Sequence, residues 1–90
     1  MNKARRKALD TLRSTLEGLK DTLDTTKDEL ETLKDEEQEY FDNMPENMQY
    51  GDKGNTAESN VSELENAISE LETAVDSIEN AMNSIENGQE

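Results

Sequence analysis

"VSELENAISELETAVDSIENAMNSIENG", residues 61–88, is four successive copies of a seven-residue unit, each opening on an apolar residue and placing Leu or Ile three positions later. That 3,4 spacing is the a and d pattern of an amphipathic helix that packs against another helix. The seam is Val61, Leu64, Ile68, Leu71, Val75, Ile78, Met82 and Ile85. Residues 9–36, "LDTLRSTLEGLKDTLDTTKDELETLKDE", divide in the same way, with a seam of Leu9, Leu12, Leu16, Leu19, Leu23, Thr26, Leu30 and Leu33. An acidic, aromatic-poor chain can remain disordered, but disorder imposes no such regular spacing.

Charge beside the seam sets the direction of pairing. With Leu9 and Val61 at a, the first block carries Arg6, Arg13, Lys20, Lys27 and Lys34 at e, and the second carries Glu58, Glu65, Glu72, Glu79 and Glu86. Residues at e face e of the partner only when two helices run antiparallel, so opposite charges there select a hairpin. A fold-back that sets Leu33 against Val61 and Leu9 against Ile85 predicts the pairs Arg6–Glu86, Arg13–Glu79, Lys20–Glu72, Lys27–Glu65 and Lys34–Glu58. Each exposed pair stabilises by only about 0.2–1 kcal/mol, so the pairs select geometry while the apolar seam supplies most of the stability.

The g positions hold Ala67, Ala74 and Ala81 in the second block, and Ala8, Thr15 and Thr22 in the first, before Glu29 and Glu36. Small residues there widen the apolar stripe beyond what one helix covers. The expected fold is therefore all-α: an antiparallel two-helix coiled-coil hairpin in a single domain, dimerising into a four-helix bundle through Ala67, Ala74 and Ala81.

Between the blocks the helical pattern runs on through Tyr40 and Phe41, read as its next d and a side chains, and Pro45 disfavours helix at Met44. Gly51 and Gly54 suit turns, and Asn55 with Glu58 forms a capping signal. The spacing predicts helices over 3–42 and 56–87 with a linker over 43–55. All three aromatic residues, Tyr40, Phe41 and Tyr50, lie in or beside this linker. Tyr40 and Phe41 are expected to plug the seam, whereas Met44, Met48 and Tyr50 are the candidates for binding a partner, because Tyr and Met adapt well to interfaces.

The stretch "KDEEQEYFDNMPENMQ", residues 34–49, resembles the linker of small uncharacterised acidic helical proteins encoded by phages and prophages of low-GC Gram-positive bacteria. The resemblance implies a mobile-element origin, in which small binders and inhibitors of host proteins are common, and it supplies no catalytic residue.

Composition narrows the chemistry. A net charge of −14 repels nucleic acid and anionic membrane and favours partners with a basic surface. The chain has no histidine and no cysteine, which removes imidazole bases, thiolate nucleophiles, zinc fingers and disulfides. The linker lacks the oxygen-ligand spacing of a calcium loop, and no carboxylate pair has an environment that would separate acid from base. Lys3, Arg5, Arg6 and Lys7 form a basic cluster that would contact phosphate; the plainer expectation is a solvated turn that Glu86 and Glu90 partly neutralise.

The sequence thus reads as a cytoplasmic, non-enzymatic interaction module without cofactor or metal. It would bind and modulate or inhibit a host protein, as in counter-defence. Two alternatives are an acidic DNA mimic that blocks a nucleic-acid-binding enzyme and a sequestering protein for a small nucleotide signal.

Overall fold

A computed structural model describes residues 1–89; Glu90, and with it the expected neutralising role of its carboxylate, lies outside the described residues. Three helices follow one another: α1 over Lys3–Asp42, the short α2 over Glu46–Gln49, and α3 over Asp52–Asn87. The chain is all-α, with α1 and α3 packed against each other. It divides into two compact units. The open-end unit combines Met1–Thr25 with the chain from Leu71 onward, and the turn unit is Thr26–Glu70.

In the open-end unit, opposite charges meet along antiparallel helices. Arg13 Nη2 lies 3.7 Å from Glu86 Oε2, and Lys20 Nζ lies 3.1 Å from Glu79 Oε1. As the first number rises by seven the second falls by seven, which fixes the antiparallel direction. Both pairs use e positions, yet both are displaced by one heptad from the expected Arg13–Glu79 and Lys20–Glu72. Nor does Arg6 meet Glu86: its Nε donates to the Gln89 carbonyl at 3.1 Å. The reason lies in how side chains leave a helix. Cα–Cβ bonds tilt toward the helix N-terminus, so on antiparallel helices the two partners of an expected pair lean apart. Partners one heptad further on lean toward each other and meet.

The seam is asymmetric. On α3 the a residues Val61, Ile68, Val75 and Met82 are all buried, and the d residues Leu64, Leu71, Ile78 and Ile85 are half-buried. On α1 no residue is fully buried. There Leu9, Leu16, Leu23 and Leu30 are half-buried at a, and so are Arg13, Lys20, Lys27 and Lys34 at e. The d residues Leu12, Leu19 and Leu33 remain 55%, 50% and 52% exposed. Long basic side chains explain this rotation: they lay their methylene stems along the partner while the charged heads stay in water, so e takes the packing role expected of d.

The turn unit is more ordered than a loop of turn residues. Helix α1 ends at Asp42, and the Phe41 carbonyl accepts from the Met44 amide at 3.0 Å and from Gln49 Nε2 at 3.1 Å, which satisfies one of the carbonyls left open at a helix end. Pro45 is the residue that precedes α2 as its N-cap, its carbonyl accepting from the Met48 and Gln49 amides. The position suits proline, which has no amide to lose there.

Helix α3 begins at Asp52, four residues earlier than the sequence suggests, so Asn55 is an interior helical residue and not a cap. Gly54 is also helical and buried, and no glycine adopts a positive φ. It serves close approach: a Cβ at Gly54 would run into the Gln49 backbone, 2.6 Å from its Cα. Gly54 and Ala57, which is 1% exposed, thus extend the buried face of α3 upstream of Val61.

Candidate functional site

The residues available to a partner in the turn unit follow from which side chains its packing consumes. Counted in sevens from Leu9, the a positions beyond Leu30 are Glu37 and then Met44, and Phe41 falls at e, in line with the basic residues. Met44 is 8% exposed and Phe41 half-buried. Met44 is therefore a core residue and not a partner-binding one, a correction that follows from its register: the heptad runs two residues past the end of α1 at Asp42, as far as Pro45. Tyr40 is likewise misread as a plug, since it is 51% exposed, as are the leucines that share its d position.

Met48 and Tyr50 are 39% and 78% exposed. Met48 lies in the last turn of α2 and Tyr50 is the residue after it. Both are held on a framework of backbone bonds, including Gly51 N–H to the Met48 carbonyl at 3.1 Å and Asn55 N–H to the Gly51 carbonyl at 3.0 Å. Two large apolar groups in water on a fixed backbone offer contact area at small ordering cost. In the same unit, an open cleft of about 240 Å³ is lined by Tyr40 and Glu37 from α1 and by Asp52, Lys53, Thr56 and Asn60 from α3. Its walls combine an aromatic side chain with two carboxylates and one ammonium. No sequence signal marks this cleft, because it forms only where the end of α1 meets the beginning of α3.

In the open-end unit, Lys3, Arg5, Arg6 and Lys7 are all exposed. Asn2 Oδ1 accepts from the Arg5 amide at 2.8 Å, an N-terminal cap. Gln89 is the second anchor of this end, accepting from Arg6 and donating through Nε2 to Asp10 Oδ1 at 2.8 Å. Glu86, assigned from the sequence to neutralise the amino-terminal cluster, instead pairs with Arg13. The Lys20 pKa is raised above its ordinary 10.5, first by the hydrogen bond to Glu79 and then by the charge of that carboxylate. Arg13 forms the looser pair, and its Nε is buried without a hydrogen-bond partner. An orphaned donor offsets what a 3.7 Å ion pair contributes, so this pair sets register more than stability.

Of the dimer-face alanines, Ala67 and Ala74 are half-buried and Ala81 is exposed. Among the described residues, no group of three or more Asp, Glu, His or Cys is arranged to hold a metal ion, and no helix is long and apolar enough to cross a membrane. The chain matches no protein-family profile, no curated protein and no solved structure.

Proposed function

We propose that this chain is a non-enzymatic protein-interaction module that presents its turn unit to a partner protein with a basic surface and modulates that partner. The exposure of Tyr50, at 78%, together with a 39% exposed Met48 carries the reading: neither is needed by the packing that buries Met44 and Ala57 in the same unit. Acidic residues surround this apolar pair in sequence, with Asp42, Glu46 and Asp52 close by, so the surface joins an apolar anchor to a negative rim. The resemblance of residues 34–49 to phage-encoded linkers supports a host protein as the target and the host cytoplasm as the place of action. The working form is a homodimer, two hairpins closed into a four-helix bundle with Ala67, Ala74 and Ala81 beside the seam.

The test is affinity capture from host lysate with the intact protein and with Met48→Ala combined with Tyr50→Ala. The double variant should keep its helical circular dichroism and melting temperature while losing a captured protein that the wild type releases as salt rises. Identical captured proteins at the same salt tolerance would transfer the function to the long helix faces.

A further inference from the structure

The two helices carry their charge unevenly around their circumference. From Ala8 to Thr25, every residue at c, d and g is uncharged, and the same holds from Leu71 to Gly88. These two segments belong to one compact unit. All acidic and basic side chains within them sit at b, e and f. Antiparallel pairing brings the g sides of the two helices to the same face, opposite the e side that holds Arg13–Glu86 and Lys20–Glu79.

The uncharged face is also drier than its threonines suggest. The hydroxyls of Thr11, Thr15, Thr22 and Thr25 donate to the backbone carbonyls four residues back, at 3.1–3.2 Å. Their donors are satisfied within the helix, so covering them with another protein strands no buried hydroxyl proton. Leu12 and Leu19, about half exposed, supply apolar surface, and Gly18 between them has open space where a Cβ would be. Another helix can therefore come close to α1 there.

We infer that this face of the open-end unit, and not the full length of the helices, is where a second copy of the chain docks. The inference rests on the homodimer proposed above and narrows its contact to the side of Ala74 and Ala81, leaving Ala67, in the turn unit, outside it. Charge identifies the occupant. A foreign partner of a chain with net charge −14 would be recognised through basic groups, but this face offers no carboxylate to receive them. A second copy brings an equally uncharged patch and keeps its own carboxylates on the outer faces, the self-complementary arrangement that a twofold dimer needs. In the turn unit the c and g positions include Glu29, Glu36, Glu39, Glu63 and Glu70, which would oppose like charges if two copies met there.

Sedimentation equilibrium of the full chain, over a dilution series at physiological salt, tests this with Gly18→Glu and Thr32→Glu. A Cβ at Gly18 meets nothing within 4 Å and Gly18→Glu replaces the poorer helix former, so circular dichroism of the dilute protein should show an intact fold. Its dimer dissociation constant should rise by at least about 100-fold, because a charge enters an uncharged contact. Thr32→Glu, at c in the turn unit, should stay within about threefold of wild type on the same scale. Thr15→Glu repeats the test at g should Gly18→Glu unfold the chain. A wild type that is monomeric at every concentration overturns both the location and the dimer. A wild-type dimer that tolerates Gly18→Glu and Thr15→Glu, or is broken equally by Thr32→Glu, leaves the dimer standing and overturns its location.

Discussion

Gly54 and Gly18 are both interior helical glycines, and helix propensity alone gives Gly→Ala the same stabilising sign, about 1 kcal/mol, at each. Their surroundings separate them. At Gly18 a Cβ meets nothing within 4 Å, so Gly18→Ala should raise stability by about 0.5–1 kcal/mol. At Gly54 the same methyl runs into the Gln49 backbone, which cannot swing aside as a side-chain end can. Gly54→Ala should lower stability by about 1–3 kcal/mol despite the better propensity. Chemical denaturation of the dilute protein reads both signs, and a stabilised Gly54→Ala would show that α2 does not press on α3. The sequence marks Gly54 as special but suggests a turn as the reason. That a neighbouring backbone occupies the space is a fact of tertiary approach, which local composition does not encode.

Among the elements, α3 carries the burial and α1 covers it. Ile68 at a is 7% exposed, whereas Leu19 at d is 50% exposed. Ile68→Ala should therefore cost about 2–4 kcal/mol, and Leu19→Ala about 1 kcal/mol or less in the monomeric hairpin. Equal losses in thermal melts of the two variants would restore a symmetric a and d seam. The existence and direction of both long helices, and the span of α1, were legible, because an unbroken heptad and opposite charges at e leave little freedom. The rotation of α1 was not. Heptad position treats a and d as equivalent, and it contains no account of where a lysine or arginine stem lies once its charged end has reached water. The start of α3 was four residues early for a related reason: Asp52, Lys53 and Asn55 look like a loop in isolation, and burial of Gly54 and Ala57 against the turn pulls them into the helix.

For the molecule as a whole, the charged partners of the antiparallel helices converge by leaning toward their own N-termini, so that Lys20 meets Glu79 and not Glu72. A double-mutant cycle with Lys20→Gln and Glu79→Gln, at low salt and neutral pH, measures this directly. The pair should show a favourable coupling that weakens as salt is added, and the parallel cycle with Lys20→Gln and Glu72→Gln should show none beyond error. pH adds an internal check. The folded-state pKa of Lys20 lies above its unfolded value of 10.5, so folding favours the protonated amine. Its contribution is fully present below pH 10.5 and is lost as pH rises through the folded value. Coupling between Lys20 and Glu79 that persists at neutral pH and fades above that point is the predicted result. Coupling to Glu72 in place of Glu79 would contradict the account.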